Sequence, residues 1–174
     1  MLSLLRKSAA RKEFAGRLLA QLTLRARDPI FFRALNVPDT MDGRFDMVAL
    51  HGWLVLERLK AAGMEEAAQS LTDRIFMSFD DALREQGTGD LGMGRRMKAF
   101  ADAFFGRLAA YGNAKDETML AEALGRNIWR GAAREDRVGE LAAYVTGARA
   151  HLAGCDIASG MLDFGPLPSM DDRR

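Results

Sequence analysis

The sequence predicts an all-α protein: a single-domain bundle of about six helices with an irregular C-terminal tail. Three observations carry this. Apolar residues recur at three-and-four spacing through successive windows, the intervals between those windows hold helix caps and stops, and no stretch alternates as a half-buried strand would. At 174 residues, 48% hydrophobic and 28% charged with only 4 prolines, the chain is long enough to bury one sizeable core.

From about Leu5 to Arg27, the residues Phe14, Ala15, Leu18, Leu19, Leu22 and Ala26 share one arc at ~100° per residue, the mark of an amphipathic helix. It stops at Asp28-Pro29, because the residue before proline is pushed out of the helical region. This segment also holds the charge: residues 1–27 carry +6 and the rest −5, within a net +1. Arg6, Lys7, Arg11, Lys12 and Arg17 are therefore candidate contacts to an anionic surface, lipid headgroups or RNA. A solvated helix face is the plainer reading, and both stay open. The opening MLSLLRKSAARKEF is basic and acid-poor, but its apolar run is too short for a secretory signal. No apolar run approaches the ~20 residues that span a bilayer.

Ile30, Phe31, Phe32 and Leu35 read as an apolar connector closed by Asn36-Val37-Pro38-Asp39. Thr40 or Asp42 caps the next helix, which runs to about Ala62 and ends at Gly63, a suitable residue just past a helix end. Its middle, Met47 to Leu56, is apolar nearly all the way round, so it belongs at the centre of the bundle. His51 in this run is expected to be a core or interface histidine, since no second ligand sits at helical spacing. Gly52 is expected to let a neighbouring helix approach closely. A third helix runs from about Met64 to Gln86 on Ala68, Leu71, Ile75, Phe79, Ala82 and Leu83.

The loop from Gly87 to Gly92, GTGDLG, matches the dinucleotide pattern letter for letter. That motif works after a strand in a parallel sheet; here a helix precedes it, which argues against a nucleotide. Asp90 is expected to cap a helix whose inward face is Met97, Phe100, Ala101, Phe104, Phe105 and Leu108. On its other side Ala99, Ala103, Gly106 and Ala110 form a strip of small residues. The strip is either packing within the bundle or, with Arg95 and Arg96, a docking groove for a client or partner helix. Glycine inside a helix costs about 1 kcal/mol relative to alanine, so a packing gain is expected at Gly106. The stretch Phe79 to Tyr111 is expected to organise the fold. Two further helices follow, about 116–131 and 134–152. Overall the chain divides into a basic amphipathic helix (1–27), a helical domain (28–153) and an extended or disordered tail (154–174).

Catalytic chemistry is not legible. Cys155 is the single cysteine, which excludes an intrachain disulfide, and His51 and His151 belong to no metal-spaced motif. No nucleophile–base arrangement or P-loop occurs, and Asp80 and Asp81 read as a solvated helix end. The expectation is a non-enzymatic binding protein without a cofactor.

Two long segments resemble the ubiquinol-cytochrome c chaperone family. One is NVPDTMDGRFDMVALHGWLVLERL, carrying Pro38, Asp39, Asp42, Gly43, Arg44, Phe45 and His51. The other is LREQGTGDLGMGRRMKAFADAFFGRLAAY, carrying Arg84, Gly87, Gly89, Asp90 and Arg107. The resemblance implies an all-helical chaperone that receives newly made cytochrome b and assists assembly of the ubiquinol-cytochrome c reductase complex. It implies cytochrome b as client, with the ribosome exit region and a membrane surface near the basic helix, and leaves a small helical co-chaperone or a homodimer open. With no long targeting region, the sequence is expected to be bacterial and cytoplasmic, with a peripheral place on the inner membrane left open. A peripheral membrane or protein-binding module, or a lipid or small-molecule carrier, are the alternatives.

Overall fold

The computed structural model describes residues 2–85, 90–132 and 135–168. These form α1 (Leu2–Ala26), α2 (Pro29–Arg33), α3 (Met41–Ala61), α4 (Glu65–Glu85), α5 (Asp90–Gly112), α6 (Glu117–Ile128), α7 (Glu135–Gly154) and a 3₁₀ turn at Ile157–Ser159. Among the described residues there is no strand, and no helix is long and apolar enough to cross a membrane.

The bundle is organised around α3, which touches α1, α4, α5, α6 and α7. Every residue from Phe45 to Leu56 is buried, as a run apolar on all sides requires. This corrects the expectation that Phe79 to Tyr111 is the hub: α4 and α5 each cover one side of α3 and are themselves half exposed. Thr40 rather than Asp42 is the cap, its hydroxyl accepting from the Gly43 amide at 3.2 Å. Gly63, with φ +67°, ends the helix as anticipated. At Gly52 a β-carbon would meet Ile75 at 3.3 Å and Phe104 at 3.7 Å, so α4 and α5 do approach α3 closely there.

The apolar connector contains a helix of one turn, α2. Asp28 caps it by accepting from the Ile30 amide, and Pro29 occupies its first position, where a missing N–H costs nothing. Burial of Phe31 and Leu35 then pins this corner to the core. In α1 the residues Ala15, Leu18, Leu22 and Ala26 are fully buried against α3 and α4, so the basic helix is part of the bundle from its middle onward. The described part of the tail is an ordered strap. Ile157 and Phe164 are buried, and Gln21 ties it to α1 by donating to Gly160 O at 2.7 Å and accepting from Leu162 N at 3.0 Å. The expected organising glycines Gly87 and Gly89 lie outside the described residues. Asp90 is the first residue of α5.

Candidate functional site

Several family-motif residues before and within α3 make contacts within the fold. Gly43 faces the Pro38 carbonyl so closely that any β-carbon would collide with it, which fixes the Pro-Asp turn against the first turn of the helix. Arg44 donates back to Asp39 at 2.7 Å, and that hydrogen bond holds the Asp39 carboxyl below its ordinary range. Asp42 is exposed, and Arg84 pairs with Asp80 at 2.8 Å one turn away on α4.

Asp46, fully buried on α3, is gripped by two arginines. Arg107 of α5 reaches Oδ1 at 2.6 Å as an ion pair rather than a well-aligned hydrogen bond, and Arg130 after α6 donates to Oδ2 at 2.7 Å. Burial pushes the Asp46 carboxyl up while both guanidiniums pull it back; two cations at this distance keep it paired as a carboxylate. Arg107 also lies over the Phe45 ring at 4.9 Å. One carboxylate thus joins α3, α5 and the end of α6. Arg130 adopts φ +56° to reach it.

His51 is a core histidine, fully buried, with both ring nitrogens bonded. Arg25 Nε donates to the Tyr144 hydroxyl at 3.0 Å, leaving that hydroxyl to donate to His51 Nε2 at 2.8 Å. His51 Nδ1–H in turn donates to Met47 O at 2.8 Å. Burial lowers the histidine to about 4 and pushes Tyr144 up to about 12. Arg25 also donates to Gly165 O at 2.7 Å, so the chain locks the strap onto α1, α3 and α7.

The strip on α5 lies at the edge of the core, with Ala103 and Ala110 packed against it. Arg95, Arg96, Ala99 and Gly106 are exposed, and Ala103 and Ala110 are half-buried. A β-carbon at Gly106 would meet nothing within 4 Å, so the expected packing gain there is not supplied by this chain. Phe105, expected inward, is 52% exposed. The inner arc of α5 is narrower than the apolar pattern suggests: Phe104 fills it, while Phe105 leans on Phe76 at 5.7 Å and is left beside an open groove of about 630 Å³ between α3, α4 and α5. Leu56, Ala68, Leu108 and Ala109 contribute to that groove.

Among the basic residues of α1, Arg11 pairs with Glu66 at 2.8 Å and Arg17 with Glu13 at 3.1 Å. The side chains of Arg6, Lys7 and Lys12 are exposed and make no ion pair among the described residues. No group of acids, histidines and cysteine able to hold a metal occurs among the described residues.

Asp46, Arg25, Tyr144 and Arg130 were not singled out from the sequence. Asp46 alone left a signal, as the one acid inside the apolar run that follows Phe45; a buried carboxylate demands partners, but nothing in the sequence names them.

Fold and site together define an all-α bundle clamped by buried polar contacts, with an open groove beside Phe105 on one side of α5 and the small-residue strip on another. Residues 33–161 match the family model described as ubiquinol-cytochrome C chaperone, and the chain belongs to that family. It is similar to the crystal structure of the Cbp3 homolog from Brucella abortus, with a TM-score of 0.78 and 36% identity over 91% of this chain and 92% of that one. It is also 24% identical over 102 residues to ubiquinol-cytochrome-c reductase complex assembly factor 1 of Xenopus laevis. That match takes in 56% of this chain and 51% of the relative, so the chain spans about half the length of the curated relative it matches.

Proposed function

We propose that this protein is a non-enzymatic assembly chaperone that holds newly made cytochrome b for the ubiquinol-cytochrome c reductase complex. Family membership supports the pathway, and the open flank of α5 is the observation that carries the binding role. A membrane protein that is still unassembled exposes apolar helices that aggregate. Phe105 beside its groove offers such a helix an aromatic anchor on one side of α5, while Ala99, Gly106 and the half-buried Ala103, which do not line that groove, let a second backbone come near on another side. The same flank would take a helix of a small co-chaperone. A photo-crosslinker at Ala99 should capture cytochrome b in cells, and one at exposed Asp73 on α4 should not; equal capture at both would remove the assignment.

The free cations of α1 favour a second role beside the first. Arg6, Lys7 and Lys12 would hold the protein near the ribosome exit or an anionic inner-membrane surface on the cytoplasmic side. Binding to anionic vesicles should then fall steeply with salt, and absence of binding at low salt would remove this role.

A further inference from the structure

A second opening lies at the other end of α3, away from the Phe105 groove. Here the start of α3, the last turns of α4, one residue of α5 and the residue after α1 surround a cleft of about 300 Å³. Its inner wall is aromatic. Phe45 meets Phe79 and Phe100 edge-on at 5.0 and 4.9 Å, and Phe79 stacks on Phe100 at 5.3 Å.

The rim is cationic. Asp39 is the one acid among the described lining residues, and Arg44 neutralises it at 2.7 Å. Arg27, also on the rim, is exposed, and its side chain makes no hydrogen bond or ion pair among the described residues. The first turn of the 21-residue α3 opens onto the same space at Thr40 and Met41. Thr40 already caps the Gly43 amide and Asp42 sits in this turn, so the positive end is carried by the Met41 and Asp42 amides, which lack helical acceptors.

An aromatic wall below an uncompensated guanidinium and a helix start matches an anion with an apolar body. We propose that this cleft binds a small amphipathic carboxylate, its chain or ring against Phe45, Phe79 and Phe100 and its carboxylate between Arg27 and the start of α3. The volume is at the lower end of the range for ligand sites, which admits a single short chain or ring and excludes a two-chain lipid. The site is independent of the chaperone reading and shares no lining residue with the α5 flank.

Calorimetric titration of the full chain with sodium decanoate, below the concentration at which it forms micelles, tests the assignment. Saturable one-to-one binding is expected, with decanol and decyltrimethylammonium weaker by roughly tenfold or more, since one charge-assisted contact separates them. Arg27→Gln should weaken decanoate by a similar factor at an unchanged unfolding midpoint, and Ala82→Trp should close the cleft. Should the tryptophan variant fail to fold, Arg27→Glu decides the matter. The assignment is overturned by no saturable binding, by decanol binding as tightly, by indifference to Arg27, or by uptake only on anionic vesicles.

Discussion

His51 Nε2 lies 2.8 Å from the Tyr144 hydroxyl across 93 residues of sequence, and that bond requires a neutral imidazole. With the hydroxyl already accepting from Arg25, its proton must point at His51, so protonating the ring would set two donors against each other. A histidine held at about 4 in the fold against 6.5 in the unfolded chain binds its proton more readily when unfolded. Its contribution is therefore fully present above pH 6.5 and is lost as pH falls toward 4, by about 1.4 kcal/mol per unit. Urea unfolding at pH 7.5 and pH 5 should differ by about 2 kcal/mol from this source. His51→Leu should remove that difference whatever its own stability; an undiminished difference in the variant would show that other groups carry it.

The Asp46 cluster makes a graded prediction. Arg107 has a side chain only 13% exposed and Arg130 one 51% exposed. Removing a buried partner leaves a carboxylate without compensation, so Arg107→Ala should cost about 3 kcal/mol or more. Solvent screens the other arm, and Arg130→Ala should cost about 1 kcal/mol or less. Equilibrium denaturation of both variants checks the order, and a reversed ranking would mean that Arg130 carries the clamp.

Two glycines should respond to alanine with opposite signs. At Gly43 the new methyl collides with the Pro38 carbonyl, a backbone atom that cannot step aside; Gly43→Ala should cost at least about 2 kcal/mol. At Gly106 the methyl meets open space inside a helix, so Gly106→Ala should stabilise by up to about 1 kcal/mol. Thermal unfolding midpoints moving in opposite directions would bear this out. A destabilised Gly106→Ala would mean that the strip is packed within the fold.

How much of this was legible in the sequence follows from the range of each interaction. The centrality of α3 was readable because an all-round apolar helix can be buried in only one way, and the stops at Asp28-Pro29 and Gly63 because backbone restrictions act locally. The hub was misplaced because glycines and arginines draw attention, whereas burial is collective. Phe105 faces outward although its neighbour Phe104 is buried, because one residue turns the helix by about 100°, and only the position of α4 decides which side a phenylalanine takes. The side-chain partners of Asp46 and His51 lie 61 to 93 residues away, and sequence spacing carries no information at that range. The sequence predicts an extended or disordered tail, and it does not separate the two because the order of the strap rests on Gln21 and Arg25 of α1, not on any periodicity of its own.

The most direct measurement is recovery of newly made cytochrome b with the purified protein, comparing the native chain with a Phe105→Glu, Gly106→Leu double variant. Both positions face solvent, so unfolding midpoints should agree within about 1 kcal/mol of stability. The variant should fold normally and recover about tenfold less cytochrome b, since a hot-spot contact is worth at least about 1.4 kcal/mol. Full recovery by a folded variant would contradict it and place the client elsewhere on the bundle.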